Sequence, residues 1–342
     1  MKKPILSSRR CVITGYGSIC SLGDDTASIW QSIMNKSLGY QYQDFSDYNI
    51  HSKFFGNIKK IPSVSDLKMQ RCLSREGLLT LSVAHEAINH AFNGQPLSTF
   101  YLPESTGVIM GSGWAGVDAS IQLGLAHHER NLAGPFSNLK TMPSSPATAC
   151  AIKYNLRGFQ NTVMAACASS SIAIGQAFRE IQRGTVDMML AGGVEAMQQP
   201  AAIWSIDVLQ ALSKEQLDPE KASCPFSSER SGFVLSEGAA IVVLEELESA
   251  KRRGAMILGE VLGYGYQGEA ESFIGLSSNT SARSRSMQLA LTDAGVDAQQ
   301  LDYINAHGTS TLANDIHETR SIKAALGKEA YRIPILSRPE IS

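Results

Sequence analysis

The chain has little of what marks several large protein classes. No apolar run approaches the roughly 20 residues that a membrane helix needs, so no membrane span is expected. Lysine plus arginine number 30 against 32 aspartate plus glutamate, a formal net charge of −2. That near-balance excludes the global basic surplus that nucleic-acid binding uses. The start MKKPILSSRR is basic, but its apolar part is broken at once by Ser7, Ser8, Arg9 and Arg10, which argues against a signal peptide. The six cysteines, at 11, 20, 72, 150, 167 and 224, lack the tight spacing of a metal site or a small disulfide scaffold. They read as reduced thiols of a cytoplasmic protein. No two histidines have the spacing of metal ligands on one helix, so no metal is expected.

What is present is an ordinary globular composition, 43% apolar and 18% charged, over 342 residues. That length buries a sizeable core, in two domains or one large α/β unit. CVITGYGSI (11–19) reads as a strand running into glycines, and TASIWQSIM (26–34) as a helix. Residues 75–92 place Leu78, Leu79, Val83, Ala87 and Ala91 at helical spacing. A strand at 106–110 ends in the glycine loop GSGWAG. A strand over 162–166 meets a helix running to Gly184, and VDMMLAGG (186–193) is a continuous apolar run, as for a strand covered on both faces. Residues 232–255 give strand, glycine turn, strand and a basic-ended helix. A helix at 285–295 and strands at 301–306 and 333–337 close the chain. Alternating strands and helices predict an α/β protein. Helix 75–92, strand 106–110 and strand 163–167 also resemble helix 285–295, strand 301–306 and strand 333–337, as two copies of one βα scheme.

Cys167 lies in NTVMAACASSSIAI (161–174), between an apolar run and a cluster of small residues. Packing filler is one reading, since cysteine behaves as a small hydrophobe. The other is a nucleophile at a helix start, where unpaired N–H groups and the positive end of the helix dipole favour a thiolate. Ala166, Ala168, Ser169 and Ser170 are small enough for a substrate to approach the sulfur. His307, in NAHGTST at the end of a predicted strand, is a candidate partner, because ligands in open α/β sheets gather at such strand ends. The local pattern leaves both readings open.

Four blocks in order resemble the β-ketoacyl-[acyl carrier protein] synthases, the ketosynthases of thiolase-like fold, over about residues 11–337. They are CVITGYGSICSLG, AACASSSIAIGQAFREIQRGTVDMMLAGGVEA, CPFSSERSGFVLSEGAAIVVLEELESAKRRGA and DYINAHGTSTLANDIHET. The resemblance implies a layered α/β fold of two pseudo-repeated halves, 1–250 with the nucleophile and an incomplete 251–342. It implies an acyltransferase of fatty acid or polyketide synthesis. Cys167 takes an acyl chain from a carrier-protein thioester, and a malonyl thioester then condenses with it as carbon dioxide leaves. His307 assists decarboxylation, the Cys167 N–H serves an oxyanion hole, and Thr309 and Thr311 bind the pantetheine arm. Asp315 and Glu318 support the site. No cofactor is implied beyond the phosphopantetheine carried by the acyl carrier protein. A homodimer or a synthase heterodimer is the implied assembly.

This chain departs from the family pattern in places. Ala165 stands where the family has threonine. Cys224-Pro225-Phe226-Ser227 replaces Arg-Pro-Phe-Asp, which predicts loss of a structural ion pair. Trp114 falls where smaller residues flank the acyl tunnel and is expected to shorten it. The sequence ends SRPEIS, with Pro339 in place of the family's lysine and no counterpart of its second histidine or second oxyanion donor. An incomplete second half is expected to leave apolar surface and sheet edges uncovered and the fold marginal. Three accounts fit such an ending: a shortened record or frameshifted form of an ordinary ketosynthase, a natural short form that acylates but barely condenses, or an inactive, non-catalytic partner subunit of a synthase pair. The retained Cys167 argues against the last. An unrelated cysteine hydrolase would use the same Cys/His logic, but the order of the four blocks disfavours it. For the acidic carrier protein, Lys59, Lys60, Lys68, Arg71 and Arg75, with Lys251, Arg252 and Arg253 elsewhere, form a candidate docking face.

Overall fold

A computed structural model describes residues 9–61, 66–130, 134–271 and 279–336; the chain end, with Ser337 and Pro339, lies outside the described residues. The strands there are, in chain order, β1 (Cys11–Cys20), β2 (Gln41–Tyr42), β3 (Phe54–Gly56), β4 (Thr106–Gly111), β5 (Gln160–Val163), β6 (Met188–Glu195), β7 (Leu235–Ser236), β8 (Gly238–Glu246), β9 (Gly259–Val261), β10 (Ile304–Asn305) and β11 (Ile335–Leu336). The α-helices are α1 (Thr26–Met34), α2 (Leu67–Cys72), α3 (Arg75–Phe92), α4 (Val117–His128), α5 (Ser137–Thr141), α6 (Ser145–Tyr154), α7 (Ser169–Arg183), α8 (Pro200–Asp207), α9 (Pro219–Ala222), α10 (Leu247–Arg252), α11 (Ser281–Ala294) and α12 (Leu312–Leu326). They form two compact units. The first comprises Met1–Ser37, Asn57–Ala202 and Glu237–Val261, and the second Leu38–Gly56, Ile203–Ser236 and Leu262–Ser342.

The first unit is built on a six-stranded sheet of order β5-β4-β6-β8-β1-β9. β4 runs parallel to both β5 and β6, whereas β6–β8, β8–β1 and β1–β9 are antiparallel. The apolar run predicted for 186–193 is β6, buried along nearly its whole length because α3 and α7 both pack on it. Helix α3 forms because Leu79, Val83, Ala87 and Ala91 recur every fourth residue on a face that joins the main core, and Asn93 ends it in the left-handed conformation. Helices α4 and α6 were not marked by apolar periodicity. The only fully buried residue of α4 is Asp118, and α6 opens on Ser145-Pro146 and buries small residues.

The core also holds one fully paired ion cluster. Glu245 is completely buried, accepts from Thr14 and Tyr101, and takes Arg253 through Nη2 at 2.5 Å and Nε at 2.7 Å. The Arg253 guanidinium lies 4.2 Å from the Phe92 ring centroid. Arg253 is thus a structural residue, removed from the docking face expected of it.

In the second unit β10 and β11 are parallel neighbours, with Ile304 opposite Ile335. Helices α11 and α12 pack together, and Ile322, Leu326 and Ile333 are buried with Met287 and Leu291 against them. The order α11, β10, α12, β11 repeats the α3, β4, β5 scheme, in that each copy pairs its two strands in parallel. Strands predicted over 301–306 and 333–337 shrink to two residues each, the second preceded by a 3₁₀ turn over Gly327–Tyr331. A second sheet, β2-β3-β7, covers Tyr40, Phe54, Ala222 and Val234.

One close approach fixes α7. A Cβ on Gly193 would sit 1.8 Å from Ser170 Oγ, and a Cβ on Gly111 2.4 Å from the Ser169 carbonyl carbon. The first turn of α7 therefore rests on the bare backbone at the ends of β4 and β6. Gly193→Ala forces the helix off the sheet, and urea denaturation should show a loss of about 1–3 kcal/mol.

Candidate functional site

In the first unit, the candidate nucleophile sits on a strand–turn–helix corner. Strand β5 ends at Val163, earlier than predicted, because the chain turns at once: Ala165 bridges to Cys167 and Ala166 lies at φ +49°. That left-handed conformation costs a residue with a Cβ about 1–2 kcal/mol, and such strain persists only where neighbours enforce it. Ser169 does so. Its buried hydroxyl accepts from the Ala165 N–H at 2.8 Å and lies 2.7 Å from the Ala166 carbonyl and 3.1 Å from that of Ser112, donating its single hydrogen to one of them. The Ala168 and Ser169 N–H groups return to the Ala165 and Ala166 carbonyls. Cys167 is consequently exposed at the start of α7, flanked by exposed Ala166 and Ala168. The first turn of α7 carries no acidic side chain and its Ala168 cap makes no side-chain hydrogen bond. The helix's own residues thus leave its positive end unneutralised. Cys11 and Cys150 differ sharply: burial pushes each thiol up to about 12.

Trp114 stands beside this corner. Glu195, at the end of β6, accepts the Gly113 and Trp114 N–H groups on one oxygen, at 2.9 and 3.0 Å. The Cβ position of Gly113 is 3.2 Å from that oxygen and 3.5 Å from Ala166 Cα. Sequence reasoning named Ser169 as a small residue beside the sulfur, not as the clasp of this corner, and missed Glu195. A lone acid closing the apolar run MMLAGGVEA was the available signal for Glu195.

In the second unit, His307 is exposed on the loop after β10. Glu318, in the second turn of α12, anchors that loop by accepting the His307 N–H at 2.7 Å and the Gly308 N–H at 2.8 Å. Thr309 and Thr311 hydroxyls are 2.9 Å apart, and Thr311 caps α12 by accepting from Asn314 N–H. Buried Asp315 accepts the Phe226 N–H at 2.8 Å, with Arg230 Nε at 3.6 Å. Arg230 also donates to the carbonyls of Ser227, Thr311 and Leu312. The Cys224 N–H donates to Ser310 Oγ at 3.0 Å. The segment that carries Cys224 and Ser227 is therefore tied to the histidine loop by amides and by Arg230, a residue that sequence reasoning also missed. Asp315 and Glu318 are both brought to this loop; they hold its backbone.

Of the candidate docking residues, Lys59, Lys60, Lys68 and Arg71 are exposed. Arg75 is largely buried and clamps Glu237 bidentately, at 2.5 and 2.7 Å. That ion pair occupies the charge that the docking reading assigned to the surface. No helix among the described residues is long and apolar enough to cross a membrane.

Residues 8–250 match the family described as Beta-ketoacyl synthase, N-terminal domain, and residues 258–338 its C-terminal domain. The chain is 34% identical over 337 residues to 3-oxoacyl-[acyl-carrier-protein] synthase 2 of Synechocystis, covering 97% of this chain and 80% of that protein. It is 33% identical over 341 residues to the Vibrio cholerae protein of the same name, covering 97% and 81%. Among solved structures, a β-ketoacyl synthase from Burkholderia phymatum superposes with a TM-score of 0.86 at 30% identity, covering 96% of this chain and 80% of that one. A ketosynthase complexed with its type II polyketide acyl-carrier protein and bound to the hexaketide gives 0.84 at 31%, covering 97% and 81%.

Replacing Ser169 by alanine leaves the Ala165 N–H without its acceptor. Ser169→Ala should lower the unfolding free energy by about 1–3 kcal/mol in urea titration, with the largest loss of amide-exchange protection at residues 163–169.

Proposed function

The chain belongs to the β-ketoacyl synthase family, and from that premise we propose that it joins an acyl group to a malonyl-derived unit on an acyl carrier protein, with Cys167 as nucleophile. The observation that carries this reading is the strained corner that exposes Cys167 at the start of α7. The Cys167 sulfur attacks the acyl thioester carbonyl, and the carrier thiol departs with the proton. The Cys167 N–H donates to the oxyanion as it forms. Malonyl thioester then breaks its carboxyl C–C bond and releases carbon dioxide. The resulting enolate carbon attacks the acyl-enzyme carbonyl, and the Cys167 sulfur leaves. His307 donates a hydrogen bond to the malonyl thioester oxygen as enolate charge develops on it, and Thr309 and Thr311 hold the pantetheine arm. Asp315 and Glu318 keep the histidine loop in shape.

No cofactor enters beyond the phosphopantetheine of the carrier protein. The 1–250 half supplies the nucleophile and the 251–342 half the histidine loop. The partner is an acyl carrier protein, met by Lys59, Lys60, Lys68 and Arg71, and the second subunit is another ketosynthase-fold chain, identical or not. Free thiols at all six cysteines support a cytoplasmic setting.

Intact-mass spectrometry after exposure to an acyl-carrier thioester should show one acyl adduct, lost in Cys167→Ala. A folded protein that takes up no acyl group overturns the reading.

A further inference from the structure

Carboxyls from three elements, Glu76 and Asp118 buried and Glu195 half-buried, converge on the loop that follows β4. Glu195, ending β6, holds the Gly113 and Trp114 amides through Oε2. Asp118, in the first turn of α4, accepts the Gln198 and Gln199 N–H groups at 2.6 and 3.1 Å, which ties the loop back to the chain after β6. Glu76, in the first turn of α3, is buried against the Gly116 amide. Each keeps a second, buried oxygen without a hydrogen-bond partner: Glu195 Oε1, Asp118 Oδ1 and Glu76 Oε1. The nearby cation, Arg75, is committed to Glu237. A loop gripped by carboxyls with no counter-charge of their own is an expensive arrangement for mere packing.

What the grip controls follows from Gly113. The side of Gly113 on which a Cβ would stand faces both the Glu195 carboxyl, at 3.2 Å, and Ala166 of the Cys167 corner, at 3.5 Å. The same Glu195 oxygen fixes the peptide that carries the Trp114 side chain. We propose that Glu195 is a positioning residue that pins the Gly113–Trp114 backbone against the Cys167 corner and thereby sets, through the Trp114 indole, the length of acyl chain accepted. This rests on the acyl-transfer reading and names a residue that governs its specificity.

The grip is also sensitive to protons. Burial, reinforced by the Glu76 charge, pushes Glu195 up to about 7. Behind Glu76 stand Asp118 on α4, Glu237 before β8 and Arg75 on α3, the other charged groups of this cluster. Ionised Glu195 accepts both amides as charge-assisted bonds; its neutral form accepts them more weakly. Below neutrality the tryptophan loop loosens and longer chains enter. Above neutrality it tightens and short chains are favoured.

The test is the ratio of Cys167 acylation rates with dodecanoyl and acetyl carrier thioesters, measured by intact mass from pH 6 to 8. Titration of Cys167 or His307 affects both donors alike and cancels in the ratio. The wild-type ratio should fall by about threefold or more as pH rises. Glu195→Gln should hold the ratio at the wild-type pH 6 value throughout, and Trp114→Gly should raise it and flatten it. A flat wild-type ratio, or a Glu195→Gln curve that follows the wild type, overturns the proposal. Should Glu195→Gln fail to fold, Glu195→Asp, with its retracted carboxyl, must still shift the curve; an unshifted curve counts against it. If wild type takes no acyl group, the acyl-transfer reading fails by itself. Trp114 fluorescence, read with Trp30 and Trp204 replaced by phenylalanine, then decides: a transition near pH 7 that vanishes in Glu195→Gln upholds the positioning role, and its absence overturns it.

Discussion

The first unit depends on how closely α7 can lie on its sheet. Gly111 and Gly193 leave no Cβ between the ends of β4 and β6 and the first turn of the helix. That contact sets where the helix begins, and the helix start sets where Cys167 stands. With α7 seated, the chain between Val163 and Ser169 turns sharply, Ala165 bridging to Cys167. Ala166 takes the left-handed conformation, and the Ser169 hydroxyl holds it there through Ala165 and Ala166. An exposed thiol at the positive end of a helix is the outcome of a packing constraint two strands away.

Carboxylates do similar work in each unit, under different conditions. Glu318 takes two amides on its two oxygens and so fixes the backbone of His307 and Gly308. Asp315 takes an amide from Phe226 with a guanidinium beside it. These carboxylates are satisfied. In the first unit Glu195 takes two amides on one oxygen and leaves the other without a partner, with an acid rather than a cation as its charged neighbour. The first arrangement makes a rigid loop. The second makes a loop whose hold varies with proton occupancy in the neutral range.

Much of this could be read from the sequence, where local chemistry dominates. The apolar run of β6, the four-residue spacing of α3 and the four ordered blocks all follow from short stretches. The end of β5 could not be read that way. Residues 164–166, Met-Ala-Ala, are apolar, as a strand permits, but the demands of α7 turn them out of the sheet. Contacts between distant segments were equally hidden: Gly113 meets Glu195 across 82 residues and Phe226 meets Asp315 across 89. Arg75 and Arg253 looked like surface charge in a list of lysines and arginines. Only the fold shows that Glu237 and Glu245 claim them.

The central claim is that the α7 corner presents Cys167 as a reactive thiol. Limited alkylation with iodoacetamide at pH 7, mapped peptide by peptide on the folded protein, tests it most directly. The account predicts that Cys167 is modified first and fastest, ahead of the half-buried Cys72 and Cys224, with Cys11, Cys20 and Cys150 protected. Labelling of Cys72 or Cys224 ahead of Cys167 in the folded chain would contradict it.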